Sequence, residues 1–392
     1  MNPDSVAALA QALVRCPSRG GVDSYEPVLA VLEDWLAARA LPYRRLLDDA
    51  GAAVALLVEI AGGRPGPWWT LDACVDTAPY GDESAWSFPP ASGDVVDGWL
   101  LGRGAADSKV AASMFCHLAA ELAPRAESLR GGLAVLLDAD EHTGRFGGAR
   151  AYLADPRAER PAGVLIGYPG MDEVVVGGRG LWRATITVRA PSGHSGSSKT
   201  VVGAISRAVH LVHLLDAEEL PLPQGDFPLP PRLTVTAFHG GEGFSVTPDR
   251  VDLNVDIRTT PDFTAEDAEA LVRRAVSALT PEPLVVPVAA WPPFRLTEND
   301  QPAAALLTAA SETGLTVSPK TAGPSNIGNL LAGEGIPAVA GFGVPYENLH
   351  ATDERAHLAE LSTVYAVYRR AALTLLGAED PPEAQAASSE PS

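Results

Sequence analysis

The chain has 392 residues, 46% apolar and 20% charged, which is enough for two domains with a sizeable core. A formal net charge of −20 argues against nucleic acid or an anionic membrane as partner, and no apolar run approaches the roughly 18 residues of a membrane span. Three scattered cysteines (Cys16, Cys74, Cys116) make no disulfide framework, and the start MNPDSVAALAQALVRCPS has no basic segment ahead of an apolar one. A reducing cytoplasm is the expected location. Helical apolar spacing covers residues 4–15 and 25–39, and VALLVEI (54–60) and WWTLDA (68–73) read as strands. ADSKVAASMFCHLAAEL (106–122) reads as a helix with Asp107 near its start; LAVLLDAD (133–140) and GVLIGY (163–168) read as buried strands. Strands alternating with helices predict a mixed α/β layer architecture.

The middle of the chain changes pattern. LWRATITVRAP (181–191) alternates with period two, a helix follows at 200–215, and strand signals come at 232–238 and 250–258. A helix at 264–279 and PLVVPVAA (283–290) complete a β-α-β-β-α-β order, that of a ferredoxin-like domain. PAAALLTAASETG and IPAVAGFG then return to α/β patterning. The expected organisation is a discontinuous α/β domain of residues 1–179 and 293–378, an inserted domain of 180–292, and a disordered Pro-, Ser- and Glu-rich tail at 379–392.

Five stretches sit at predicted strand ends or helix starts: TLDACVDTAP (70–79), GRGAADSKVAAS (102–113), DADEHTGRFGGAR (138–150), IGYPG (166–170) and YENLHATDE (346–354). In this order and spacing they resemble the two-zinc aminoacylase and carboxypeptidase family, which includes acetylornithine deacetylase and succinyl-diaminopimelate desuccinylase. The resemblance covers residues 5–376. It implies a zinc-peptidase-like mixed-sheet catalytic domain, with the inserted domain as a lid and dimerisation domain.

The implied site transfers residue by residue. The family's bridging Asp is matched by Asp107, its general base by Glu141 and its last His ligand by His350. Asp76 is retained two residues after the first ligand position, and that position is Cys74 in place of His. His142 stands where the family has a glutamate ligand, and Tyr168 where it has an acidic one. One metal would then be held at 107, 142 and 350, by Asp, His and His, a competent three-ligand set with open positions. The other would be held at 74, 107 and 168, by Cys, Asp and Tyr. Tyr must shed a proton with a reference pKa of about 10, so this second site is expected to be weak or empty. Cys74 is therefore a soft metal ligand, an unliganded thiol beside a vacated site, or a nucleophile.

APSGHSGSS (190–198) matches the family loop whose His, here His194, reaches the partner subunit's active site and steadies an oxyanion. Arg258 matches a family Arg able to pair a substrate carboxylate, Ser245 replaces an Asn that helps hold substrate, and Asn326 replaces an expected Asp. The resemblance implies a metal-dependent amidohydrolase acting on an N-acyl amino acid or related small amide, with one zinc expected sooner than two and iron or cobalt as alternatives. Amide formation, cyclisation or other chemistry on the same scaffold is a second reading, and a non-catalytic small-molecule binder a third. A homodimer is implied, with neither nucleic acid nor membrane as partner.

Overall fold

The computed structural model describes residues 3–198, 202–223 and 225–378. The tail expected at 379–392 lies outside the described residues. The chain divides into two compact units. The first runs to Val174 and takes in Glu298–Ser318 and the chain from Pro337; the second is Val175–Thr297 with Pro319–Ile336.

The first unit is built on six strands, in spatial order Tyr43–Leu47, Ala53–Ala61, Arg130–Asp138, Arg64–Cys74, Pro161–Ile166 and Ala338–Ala340. The first two neighbour pairs are antiparallel and the remaining three parallel, so the sheet is mixed. Ala53–Ala61 and Arg130–Asp138 are buried along almost their whole length, as unbroken apolar runs covered on both faces must be. Alternation along the Cys74 strand sends Thr70, Asp72 and Cys74 to one face. There the Thr70 hydroxyl meets that of Tyr152, 2.9 Å away on the helix Gly147–Ala154. Gly167 faces the other way: a Cβ there would come within 2.5 Å of Ala111 on the helix Val110–Leu122, so only glycine lets that helix pack so close. Leu56, Leu57, Leu71, Phe115 and Tyr368 are fully buried in this core. Tyr43–Leu47 escapes the sequence pattern because its half-buried Tyr-Arg-Arg start carries no alternation.

The helix expected from residue 106 begins at Val110. Ala105–Lys109 form an irregular turn instead, in which Asp107 (φ −119°, ψ 96°) and Ser108 (φ −136°, ψ 40°) leave helical geometry. Parallel pairing sets the carboxyl ends of three strands side by side, with Cys74 opposite Asp138 and Asp72 opposite Ile166. In open α/β sheets that edge is where ligands bind.

The second unit is an antiparallel sheet in the order Arg232–His239, Arg250–Thr259, Gly180–Arg189, Leu284–Trp291, with the helices Ala204–Asp216 and Ala265–Ser277. This is the ferredoxin-like arrangement, with Ile186, Val188, Leu211, Leu253, Ile257 and Leu271 in its core. It also gathers 319–336, a segment the sequence pattern assigns to the larger domain. The Asn329 amide donates to the carbonyls of Arg179 (3.1 Å) and Pro292 (2.8 Å), and Arg258 donates to Ser325 Oγ (3.2 Å). No helix among the described residues is long and apolar enough to cross a membrane.

Two buried carboxyls meet beneath Cys74. Among the described residues, neither oxygen of Asp138, nor Oδ1 of Asp72, finds an N–H or hydroxyl donor. Burial pushes Asp72 up to about 7. Burial and then the charge of Asp72 push Asp138 well above the ordinary carboxylate range. The pair therefore keeps a proton between them near neutrality. Since both pKa values rise on folding, the stability they contribute is complete below the unfolded value of about 4. It is lost as pH climbs through about 7. Asp138→Asn, which offers Asp72 an amide donor, should stabilise the protein by about 1–3 kcal/mol at pH 8 and flatten the fall in thermal midpoint between pH 5 and 8. Calorimetry giving the same pH profile for both proteins would refute a shared proton.

Candidate metal centre

Four segments of the first unit deliver the site. Cys74 ends its strand, and Asp76, fully buried, turns back to receive the N–H groups of Glu141 (Oδ1, 3.2 Å) and His142 (Oδ2, 3.0 Å). One carboxylate thus ties the loop after the Cys74 strand to the loop after the Asp138 strand. Asp107 comes from the irregular turn. Its Oδ2 lies 2.9 Å from His350 Nε2 and 3.4 Å from His142 Nε2. Its Oδ1 receives the Ser108 hydroxyl at 3.2 Å and the Cys74 thiol at 3.5 Å, and Cys74 Sγ is also 3.3 Å from Ser108 Oγ. Donor atoms of Cys74, Asp107 and His142 all lie within 4.8 Å of one another. The His142 and His350 rings are 5.3 Å apart. His350 has a left-handed backbone (φ 60°) and is the accessible member, with 48% of its side chain exposed.

The charges in this cluster lean on one another. Burial alone would raise Asp107, but contact with His142 and His350 outweighs it and holds the carboxyl below its usual range. Burial opposes charging His142, yet Asp107 and Asp76 win and lift its pKa. Burial, and then the charges of Glu141 and Asp107, push the Cys74 thiol well up. A free thiolate is thereby disfavoured where no cation stands beside it. The same causes, burial followed by Asp107 and Glu141, keep Tyr168 a neutral phenol. Glu141 is pushed up to about 8, by burial first and then by Asp107. That range suits a group that must take up and release a proton near neutrality.

The donor chemistry fits a divalent cation. Sulfur, nitrogen and carboxylate oxygen converge, which is a zinc-type set. Among the described residues His142 Nδ1 is buried without a hydrogen bond, although Asp76 Oδ2 is 3.4 Å away. The nearby buried Lys109 does not fill the role of cation, since its ammonium donates to the carbonyls of Leu13 (2.9 Å) and Cys16 (3.0 Å). Binding would discharge protons from Cys74 and His142 in exchange for metal.

The other expected site residues belong to the second unit. His194 is exposed, and its Nδ1 accepts the Gly196 N–H at 3.0 Å. The carbonyl of Ser245 accepts the Ser195 N–H at 2.9 Å. Arg258 pairs with Asp256 at 2.7 Å. Asn326 caps the helix Ile327–Gly333, its Oδ1 accepting the Gly328 N–H at 2.8 Å. Two residues escape the sequence reading. Ser108 has only its place after Asp107 to mark it, and Glu354 only its place four residues after His350.

Residues 72–374 match the sequence model of Peptidase family M20/M25/M40. A succinyl-diaminopimelate desuccinylase of Methylorubrum extorquens is 28% identical over 389 residues, covering 94% of this chain and 98% of that protein. The enzyme of the same name from Rhodospirillum centenum is 29% identical over 395 residues, with 94% and 96% covered. Among solved structures, a tripeptidase from Staphylococcus aureus superposes with a TM-score of 0.75 at 19% identity, covering 96% of this chain and 99% of that one. An M20 family metallo-carboxypeptidase from Sulfolobus solfataricus gives 0.78 at 15% identity, with 95% and 99% covered. These likenesses establish the fold.

Loaded with Co²⁺, the protein should absorb through a thiolate-to-metal charge-transfer band, and Cys74→Ser should abolish it and weaken Zn²⁺ binding by at least about 10-fold. A band that survives in Cys74→Ser would exclude Cys74 from the centre.

Proposed function

We propose, since the chain belongs to peptidase family M20/M25/M40, that it is a metal-dependent amidohydrolase that cleaves the amide of an N-acylated amino acid or a related small molecule. The observation that carries this reading is the convergence of Cys74, Asp107 and His142 within 4.8 Å, next to the partly buried Glu141. The names of the desuccinylase relatives make a succinylated diamino acid the first substrate to try.

Cys74, Asp107 and His142 hold the cation, with His350 against Asp107 as the further donor expected of it. We favour one ion per chain, zinc first, with iron or cobalt as alternatives. Relative to the family's ligands, a thiolate at 74 adds one negative charge, while the imidazole at 142 and the neutral phenol at 168 remove two. The set then carries the charges of Cys74 and Asp107 alone, which balance one divalent ion and not two. The chemistry a bound divalent metal supplies is Lewis acidity toward the amide carbonyl and toward water. Glu141 takes the proton of the attacking water and hands it to the leaving nitrogen. Asp76 keeps this base and its neighbour His142 in place through their two backbone N–H groups. The partner subunit's His194 donates to the developing oxyanion, with Arg258, Ser245 and Asn326 serving substrate choice and the inserted domain serving as lid and dimer contact. Three unpaired cysteines support a reducing cytoplasm.

The test is turnover of N-acyl amino acids, beginning with N-succinyl-diaminopimelate, by zinc-loaded protein. Glu141→Gln should lower kcat by about 10²–10⁴-fold with zinc per chain unchanged. A variant that keeps full kcat would sink the role of Glu141, and a loaded wild type inert toward every N-acyl compound would sink the hydrolase reading.

A further inference from the structure

Glu354 has no exposed surface, and its carboxylate gathers donors from two segments of the chain far apart in sequence. Oε1 accepts the N–H groups of Gly104 (2.9 Å), Ala106 (3.2 Å) and Asp107 (3.5 Å). Oε2 accepts the Arg103 guanidinium (2.5 Å) and the N–H of His350 (3.3 Å). The Glu354 carbonyl accepts a further N–H, that of Gly102, at 3.0 Å. Arg103, itself buried, lies with its guanidinium 5.2 Å from the centre of the Trp86 ring.

These donors belong to the two loops that present Asp107 and His350. In the irregular turn before the helix Val110–Leu122 the N–H groups of Ala105 and Lys109 reach the carbonyls of Gly102 (3.1 Å) and Gly104 (2.9 Å), while those of Ala106 and Asp107 turn to Glu354, since buried N–H groups need acceptors. The loop closes tightly as well. Gly104 is left-handed (φ 87°), and a Cβ there would strike Thr77 Cγ2 at 2.6 Å. A buried ion pair is weak evidence for stability. A carboxylate that bonds the backbone of two separate ligand-bearing residues has another use, since it fixes their mutual placement.

We propose that Glu354 is a positioning residue for the metal centre: its carboxylate holds Asp107 and His350 in register before any cation arrives. Arg103 neutralises that carboxylate, so the cation in the pocket meets the charge of Asp107 and not that of Glu354. The proposal rests on the metal-centre reading above. It concerns affinity and coordination geometry and makes no claim on the chemical step.

The test measures Zn²⁺ affinity by chelator competition and the Co²⁺ absorption spectrum, on the full-length wild type, Glu354→Gln and Glu354→Asp. The thermal midpoint of each metal-free protein is recorded alongside. Glu354→Asp keeps the partner of Arg103 while drawing the carboxylate back from the N–H groups, so it separates positioning from the loss of a buried charge. The expected result is a folded variant whose Zn²⁺ affinity is lower by about 10–100-fold and whose Co²⁺ ligand-field bands are shifted. Wild-type affinity and spectrum in a folded variant would overturn the proposal, and so would the unfolding of both variants, which would make Glu354 a folding residue. A wild type that binds neither ion would instead overturn the metal-centre reading, an outcome seen before any variant is made.

Discussion

The carboxylate of Asp107 is the charge around which the first unit's pocket is arranged. It is 4% exposed, and a buried carboxylate is tolerated only where cations or donors surround it. Two imidazoles, a hydroxyl and a thiol do so here, all within 3.5 Å. Each comes from a different place in the chain, so the strand ends, the irregular turn and the loop of His350 must all be correctly placed for that one charge to be paired. In the irregular turn ending at Lys109 the Asp107 backbone leaves helical geometry, and its N–H is held from outside by Glu354.

Around this centre lies a layer of carboxylates that work through backbone N–H groups. Asp76 holds the Glu141–His142 segment, and Glu354 holds the Gly104–Asp107 turn together with His350. Charge-assisted bonds of this kind are about twice as strong as neutral ones. Their value here is geometric, since a donor set misplaced by an ångström loses most of its affinity for a small cation. Asp72 and Asp138 contrast with both. Among the described residues they meet no N–H at the oxygens left open, and burial raises the pKa of both.

The departures from the family pattern form one chemical change. A thiol replaces an imidazole at 74, an imidazole replaces a carboxylate at 142, and a phenol replaces a carboxylate at 168. Set against the resemblance, one hard oxygen donor is lost from each expected site, at 142 and at 168, while a soft sulfur donor is gained beside Asp107. The replacements present are all polar, and two of the three, Cys74 and His142, point into the same cluster.

Much of this was legible in the sequence. Unbroken apolar runs mark the buried strands, period-two alternation marks Gly180–Arg189, and the β-α-β-β-α-β order gives the ferredoxin-like unit, because side-chain periodicity follows directly from backbone geometry. The motif positions likewise name Cys74, Asp107, Glu141, His142 and His350, since residue type and spacing are linear properties. The short strand Tyr43–Leu47, the start of the helix at Val110 and the attachment of 319–336 to the second unit carry no periodic signal. They depend on which groups lie nearby in space. The contacts of Ser108 and Glu354, and the raised pKa values of Asp72 and Asp138, belong to the same class. The sequence by itself determined the fold class and the inventory of donors. Only the tertiary structure decided which donors converge and what holds them, because burial, hydrogen-bond partners and the field at each titratable group are set by residues hundreds of positions apart.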